Sequence, residues 1–322
     1  MKYIKQITAH GSRGFTLIEL MIALVLGLVL VGGVISVLLS NKQTYRTNNA
    51  LSQLQDNART AFELLARDIR QSGSSPCGNT TVTNLLTSLN GNGTDTYIWR
   101  QDAPIQGFDD ATTVVPVLPN ALAQSAIVTK GVGVVSTPML TAGADCSTGA
   151  PITASPSGIS PGDLVLMCDA SQAYIYQAGA FAGNLLPMAG AGSPGNATNS
   201  TGCSVFGNTA YVVQYQPDYW YVGTTPAGPG VPAGTRSLYR ARYSAGTFNS
   251  DEIARGVSSM QITYLDSAVN PNAFIQAAAV GSWANVTAVQ VTLTFSSPTN
   301  PNNVNNPEPL VRTISTTIGI RG

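Results

Sequence analysis

One carboxylate lies alone in a long apolar stretch near the N-terminus. From Phe15 to Leu39, a run of 25 residues, Glu19 is the only ionisable side chain. A helix rises about 1.5 Å per residue, so the run reaches roughly 38 Å and can cross a hydrocarbon core of about 30 Å. A carboxylate inside a membrane is costly and usually marks a pairing partner or a functional site. Glu19 is therefore the first candidate functional residue.

Two ordinary interpretations of this stretch are a secretory signal peptide and a plain membrane anchor. A signal peptide has an apolar region of about 7–15 residues followed by a small-residue cleavage site, and this run is longer and lacks such a site. Composition alone favours the plain anchor, which leaves Glu19 unexplained. Before the run, Lys2, Lys5 and Arg13 carry positive charge without any acid, which predicts a cytoplasmic N-terminus.

The order of residues at the start of the run points to a more specific interpretation. Arg13-Gly14-Phe15-Thr16-Leu17-Ile18-Glu19 resembles the processing motif of type IV pilins and of type II secretion pseudopilins. The resemblance implies that a prepilin peptidase cuts between Gly14 and Phe15 and methylates the new amine of Phe15. It also implies that Glu19 pairs with the N-terminal amine of a neighbouring subunit in a filament, because a buried carboxylate needs a cationic partner.

The helix is expected to continue beyond the apolar run. Residues 41–72 contain no Gly or Pro, and apolar residues recur at spacings of three and four, which is the pattern of an amphipathic helix. These residues are Leu51, Leu54, Ala58, Phe62, Leu65 and Ile69. Gly73 is a plausible C-terminal cap. We expect the first half of this helix to lie in a membrane or a fibre and the second half to pack on a sheet.

The rest of the chain has the composition of a secreted β domain. Only 10% of the residues are charged, while Gly (32) and Pro (19) are abundant. Residues 74–162 indicate surface loops with a few short strands, and Ala189–Gly202 indicates a mobile loop. The predicted strands are Asp163–Asp169, Tyr174–Tyr176, Thr209–Gln216, Tyr219–Val222, Arg236–Tyr243, Ser258–Leu265, Thr287–Phe295 and Val311–Ile320. The predicted fold is α+β and type IV pilin-like, with the N-terminal helix packed on a C-terminal antiparallel β-sheet domain that carries long loops.

The C-terminal third narrows the resemblance. Leu238-Tyr239-Arg240, the segments 253–257 and 260–264, and Trp283 ahead of Val286–Phe295 resemble a PilW-type minor pilin, a family related to the J-type minor pseudopilin. The implied organisation is a leader peptide (1–14), a transmembrane or filament-core helix (15–40), its amphipathic continuation (41–72) and a periplasmic or extracellular β-rich domain (73–322).

Four cysteines, Cys77, Cys146, Cys168 and Cys203, fall outside the predicted membrane segment, where disulfides persist. Four cysteines allow three pairings. We favour Cys146–Cys168 with Cys77–Cys203, because the first loop is short and Cys168 lies in a predicted strand. Metal binding is the alternative, but neither a CxxC spacing nor a nearby histidine supports it.

The same sequence argues against catalysis. Cleavage after Gly14 removes His10, the only histidine in the chain, and so removes histidine-based acid–base chemistry. Gly158–Gly162 matches G-x-S-x-G, but that motif needs a histidine and a helix that Pro161 opposes. Gly190–Gly195 matches G-x-G-x-x-G without a following helix. The mature chain has 13 basic against 16 acidic residues, so it has no basic excess for nucleic acid. We expect no enzyme activity, no cofactor, no metal and no direct nucleic-acid binding.

The predicted function is that of a structural minor pilin. It would join other minor pilins and the major pilin, prime pilus assembly in the bacterial inner membrane, and lie at or near the pilus tip on the cell surface. A large tip adhesin is a further candidate partner, and twitching motility, cell adhesion and DNA uptake are possible consequences that the sequence does not rank. The alternatives are a minor pseudopilin of type II secretion and, from another class, a membrane-anchored periplasmic binding module.

Overall fold

A computed structural model describes residues 14–74, 82–86, 103–114, 117–141, 149–152, 158–188, 194–196, 205–207, 209–229, 231, 233–297 and 309–320. The described elements in chain order are α1 (Leu17–Gln71), β1 (Val82–Asn84), β2 (Ile105–Phe108), β3 (Ala126–Pro138), β4 (Ala150–Pro151), β5 (Leu164–Cys168), β6 (Ala173–Gln177), β7 (Leu185–Leu186), β8 (Tyr211–Thr224), β9 (Arg236–Ser244), β10 (Thr247–Arg255), β11 (Val257–Asp266), β12 (Val286–Ser296) and β13 (Val311–Gly319). Short 3-10 helices span Ala111–Thr113, Ala277–Ala279 and Trp283–Asn285.

The N-terminal unit contains helix α1 as far as Leu51. Every large apolar side chain from Leu17 to Leu39 is at least half exposed. By length and composition this part of α1 is able to cross a membrane. Exposed leucine, isoleucine and valine on all sides of a helix would be unfavourable in water, so this surface requires lipid or neighbouring helices.

The second unit begins with the last part of α1, from Ser52 to Gln71. The predicted stripe is buried at Leu54, Ala58, Leu65 and Ile69, and Phe62 packs against the same core. Ala61 and Ala66 widen the buried face. Each fully buried Leu or Ile contributes about 1.5–3 kcal/mol, so this stripe provides the main attachment of the helix to the β domain.

The helix ends where the sequence predicts. Gly73 follows the last helical turn with φ +75° and donates its N–H to the Lys130 carbonyl at 2.8 Å. A Cβ on Gly73 would lie 2.7 Å from the Pro104 Cβ. Both the left-handed backbone and the close approach of Pro104 require glycine here.

The larger sheet has eight strands, ordered β1-β6-β5-β8-β3-β2, with β9 also paired to β8 and β10 to β9. The β1–β6 pair is parallel and the other pairs are antiparallel. The predicted pair around Asp163–Asp169 and Tyr174–Tyr176 is confirmed as β5 and β6. The region 74–162 contributes more than the predicted short strands, because β3 runs for 13 residues along β8 in the middle of the sheet.

The prediction of two separate strands at Thr209–Gln216 and Tyr219–Val222 was wrong. Strand β8 runs through Pro217 without a break. Its residues 211–214 pair with β5, and its residues 218–224 pair with β9, on the edge opposite to β3. Pro217 lies between these two pairings, at the one part of β8 where a missing N–H costs no ladder bond to β5 or β9.

A three-stranded antiparallel sheet, ordered β11-β12-β13, follows. Its inner residues join the same core as the α1 stripe, including Ile262, Val291 and Leu293. Helix α1 therefore packs on two sheets, not on the single predicted one, and Asn57 adds a hydrogen bond from its side-chain amide to the Arg255 carbonyl at 2.9 Å. Strand β10, which pairs with β9 through a two-residue turn, was not predicted because its residues are mostly polar and exposed.

Part of the predicted mobile loop at Ala189–Gly202 is fixed to the larger sheet. Asn196 is buried, accepts the Gln177 N–H at 2.8 Å and donates its amide to the Gln177 carbonyl at 2.9 Å. The Gly195 N–H donates to the Gln177 side chain at 2.8 Å. The prediction of mobility was therefore wrong for residues 194–196. Residues 189–193 and 197–202 lie outside the described part of the chain.

Candidate processing and assembly site

The residues around the predicted cleavage point form the exposed start of helix α1. A Cβ placed on Gly14 would meet no atom within 4 Å, and Phe15 is 83% exposed. Neither residue is helical, because α1 begins at Leu17. The Gly14–Phe15 bond is thus in open, non-helical backbone.

Glu19 caps its own helix. Its Oε2 accepts hydrogen bonds from the Thr16 N–H at 3.2 Å and the Thr16 hydroxyl at 3.0 Å, while the Thr16 Oγ1 accepts the Glu19 N–H at 3.4 Å. This reciprocal pair is a capping box, in which each side chain satisfies a backbone N–H that the first helical turn leaves free. The carboxylate also lies next to the positive end of the helix dipole.

The capping box uses only one oxygen of the Glu19 carboxylate. Within the described part of the chain, Oε1 has no hydrogen-bond partner. The box holds the carboxylate close to the start of the helix, where a cation can approach the remaining oxygen. Such an arrangement fits an acceptor for an ammonium group from outside the chain.

A second polar cluster fixes α1 to the larger sheet. Asp68 on α1 accepts hydrogen bonds from the Trp220 indole N–H at 3.1 Å and the Arg240 Nη1 at 3.4 Å. The Arg240 guanidinium also lies 5.5 Å from the centre of the Trp220 ring, which is a cation–π distance. The Asp68 and Arg240 side chains are 13% and 12% exposed. This largely buried ion pair sets one position of the helix along the sheet.

Asp218 and Arg242 form a neighbouring ion pair on β8 and β9. Their closest atoms, Oδ1 and Nε, are 3.3 Å apart, but neither atom makes an aligned hydrogen bond within the described residues. Burial raises the pKa of Asp218 to about 7, Arg242 opposes that rise, and the Asp68 carboxylate adds to it. The carboxylates of Asp68 and Asp218 and two guanidinium groups therefore lie in one partly buried region. Of the two carboxylates, Asp218 is the one whose burial is less well offset by nearby positive charge.

Other residues whose side chains could bind a ligand have structural positions. Tyr219, Trp220 and Tyr221 are fully buried in β8, which agrees with sheet packing and not with a binding surface. Ser160 lies in the turn before β5, where its N–H donates to Asp163 Oδ2 at 2.8 Å, so the G-x-S-x-G match is a turn. The other match, Gly190–Gly195, lies mostly outside the described residues.

Cys168 is buried in β5 and takes part in a disulfide bond. Cys77, Cys146 and Cys203 lie outside the described residues, so the pairing of Cys146 with Cys168 and of Cys77 with Cys203 stays a prediction.

Sequence reasoning missed Thr16 and the links among Asp68, Trp220 and Arg240. The capping box was readable from Thr16-Leu17-Ile18-Glu19, because a hydroxyl residue three positions before Glu is its signature. The Asp68–Arg240 contact joins residues 172 positions apart. No spacing in the sequence could reveal it, although Arg240 lies in a segment that carries the family resemblance.

Two family models match the chain. The prokaryotic N-terminal methylation motif matches residues 10–35, and the type IV pilus-assembly protein W family matches residues 219–318. No curated protein and no solved structure matches it. The first match contains the capped start of α1, and the second contains Trp220, Arg240 and the three-stranded sheet. Together with the long N-terminal helix and the antiparallel β domain, these matches show that the chain is similar to type IV pilus minor pilins over these two segments.

Proposed function

We propose that the protein is a structural minor pilin that primes type IV pilus assembly. A prepilin peptidase cleaves it after Gly14 and methylates Phe15, and the mature chain joins other minor pilins in an initiating complex that stays at or near the pilus tip. The observation that carries this proposal is the exposed Gly14–Phe15 bond directly ahead of the Thr16–Glu19 capping box on an apolar helix.

Cleavage would create a charged amine on Phe15, one residue before Thr16 and four residues before Glu19. In the first turn of α1, Glu19 is the acidic residue. Because its Oε2 is held by Thr16, its Oε1 is free to accept the Phe15 ammonium of a neighbouring mature subunit. In a fibre core with little water, such a pair is strong enough to select one axial register, since an unpaired charge there is costly.

The exposed apolar surface from Leu17 to Leu39 supports the same path. Lipid covers this surface before assembly, and the helices of neighbouring subunits cover it afterwards. The protein would therefore reside first in the bacterial inner membrane with its β domain in the periplasm, and later in the pilus. The match to a pilus-assembly family favours the pilus over type II secretion, whose minor pseudopilins share the same leader and helix.

The test replaces the carboxylate and compares two cell fractions. Glu19→Ala is expected to insert into the membrane at normal levels but to fall at least tenfold in sheared surface fibres, because loss of one partner of a buried ion pair costs roughly 3–5 kcal/mol. Glu63→Ala is the matched control, since Glu63 lies exposed on the same helix in an ion pair with Arg59. Normal recovery of Glu19→Ala in sheared pili would contradict the assembly role of Glu19.

The priming role is tested by a separate measurement, the number of pili that cells make. Cells that lack this protein are expected to make fewer pili, and quantitative mass spectrometry of sheared pili is expected to find it far below the major subunit. A copy number equal to that of the major subunit would contradict a minor, tip-located role.

A further inference from the structure

Strand β13 forms an open edge of the three-stranded sheet. It pairs with β12 over nine residues, from Val311 to Gly319, without a shift in register. No residue in the described part of the chain pairs with its other edge. A regular strand with one unpaired edge presents a row of N–H and C=O groups to its surroundings.

The hydrogen bonds at both ends of β13 show which residues point to this edge. The Ser297 N–H donates to the Leu310 carbonyl at 2.9 Å, and the Ile320 N–H donates to the Thr287 carbonyl at 2.9 Å. Even-numbered residues of β13 therefore bond to β12, because the direction alternates along an antiparallel strand. The residues whose backbone groups face the open edge are Val311, Thr313, Ser315, Thr317 and Gly319.

This edge lacks several of the devices that normally protect such strands, and its one charged residue, Arg312, lies near one end of the strand. Protected edges carry lysine, proline or a bulge, or are very short. Strand β13 has no lysine and no proline in its sequence, its pairing with β12 has no bulge, and it is longer than an average strand of 5–6 residues. The edge is therefore suited to accept another strand.

The side chains of β13 determine which residues the added strand should carry. On the inner face, Ile314 is 37% exposed although its β12 neighbour Leu293 is fully buried. Arg312 on the same face is exposed and makes no ion pair within the described residues. The outer face is uncharged: Thr313 lies 3.1 Å from the Thr294 hydroxyl, and Ser315 lies 2.9 Å from the Thr292 hydroxyl.

We propose that β13 binds an extended strand of a second polypeptide chain by antiparallel strand addition. The incoming strand places an apolar side chain beside Ile314 and a carboxylate beside Arg312, two residues further along the same face. Its other face carries uncharged polar side chains that extend the hydroxyl rows. Main-chain hydrogen bonds to Thr313, Ser315 and Thr317 supply the affinity, and the two inner-face side chains supply direction and register.

A synthetic peptide serves as the probe. It has nine residues, alternates threonine with valine or isoleucine, and replaces the apolar residue next to the C-terminal threonine with aspartate. Binding of the fluorescently labelled peptide to the full-length protein in detergent micelles is followed by anisotropy. Ser315→Pro removes an edge-facing N–H, and Ser315→Ala is the matched control because both variants lose the hydroxyl contact to Thr292.

A second measurement leaves the protein unchanged. The peptide is N-methylated either at its central threonine, whose N–H faces β13 in the proposed pairing, or at the adjacent valine, whose N–H faces away. Amide hydrogen exchange at Thr313, Ser315 and Thr317 is recorded with and without the unmodified peptide.

We expect saturable binding, a loss of at least tenfold with Ser315→Pro and with threonine N-methylation, and at most a threefold change with Ser315→Ala and with valine N-methylation. We also expect peptide-dependent protection of the three amides. Three results would overturn the proposal: absence of saturable binding, equal binding by both N-methylated peptides, or full protection of these amides in the free protein. The proposal does not depend on cleavage after Gly14, so its failure and that of the pilin function are distinguishable.

Discussion

Removal of the Asp68 carboxylate should loosen helix α1 from the β domain. Asp68→Ala deletes the acceptor for the Trp220 indole and the Arg240 guanidinium, and it leaves Arg240, only 12% exposed, without its ion-pair partner. Breaking a buried ion pair by removing one partner costs roughly 3–5 kcal/mol. Because a domain is stabilised by about 5–15 kcal/mol, this change removes a large share of the total.

The predicted loss is measured by urea unfolding of the full-length chain in non-ionic micelles, followed by tryptophan fluorescence. Asp68→Asn should lose less than Asp68→Ala, because the amide oxygen still accepts the Trp220 N–H. The matched control is Asp56→Ala, an exposed acid on the same helix, for which a change of at most about 0.5 kcal/mol is expected. If Asp68→Ala unfolds within about 1 kcal/mol of the wild type, the ion pair does not hold the helix.

Three further predictions use the same unfolding assay. Burial raises the pKa of Asp218 to about 7, so the contribution of its protonated carboxyl to the free energy of unfolding is fully present below about pH 4 and is lost as the pH rises through 7, by about 4 kcal/mol in total. Asp218→Asn should remove this dependence of stability on pH, and an unchanged dependence would contradict the assignment. Tyr264→Phe should cost nothing or stabilise by up to about 1 kcal/mol, because its buried hydroxyl has no partner in the described residues, whereas Tyr221→Phe should lose about 1 kcal/mol with its bonds to Pro119 and Ser250. Gly73→Ala should destabilise by at least about 1 kcal/mol, since φ is +75° there, and an unaffected midpoint would refute this.

Local sequence patterns predicted the parts of the fold that depend on periodicity. The stripe from Leu54 to Ile69 has helical spacing, and the alternation of Thr287–Phe295 has strand spacing, so each element was visible in its own residues. Gly73 was identified as a cap because it follows the last apolar residue of the stripe at the expected distance. These signals are short-range, and the structure confirms them.

Features that depend on distant partners were not predictable in the same way. A proline normally indicates the end of a strand. Pro217 lies inside β8 because the pairing partner of β8 on that edge changes there from β5 to β9. Asn196 lies in a sequence typical of a mobile loop, yet Gln177 fixes it through two hydrogen bonds. In both cases tertiary context overrides the local preference.

For the N-terminal motif, local residue order was sufficient to select the candidate residues. Gly14, Phe15 and Glu19 were selected from residue order, and the structure adds the role of Thr16 in holding the Glu19 carboxylate at the start of the helix. The sequence motif selects the candidate processing residues, whereas the capping box shows how the carboxylate is held at the start of the helix.

The measurement that tests the central claim most directly is the intact mass and N-terminal sequence of the protein recovered from membranes and from sheared surface fibres. Cleavage and methylation predict a chain that begins with N-methylated Phe15 in both fractions. A chain that retains Met1 and occurs in the membrane fraction alone would contradict the pilin function and leave a membrane-anchored periplasmic domain.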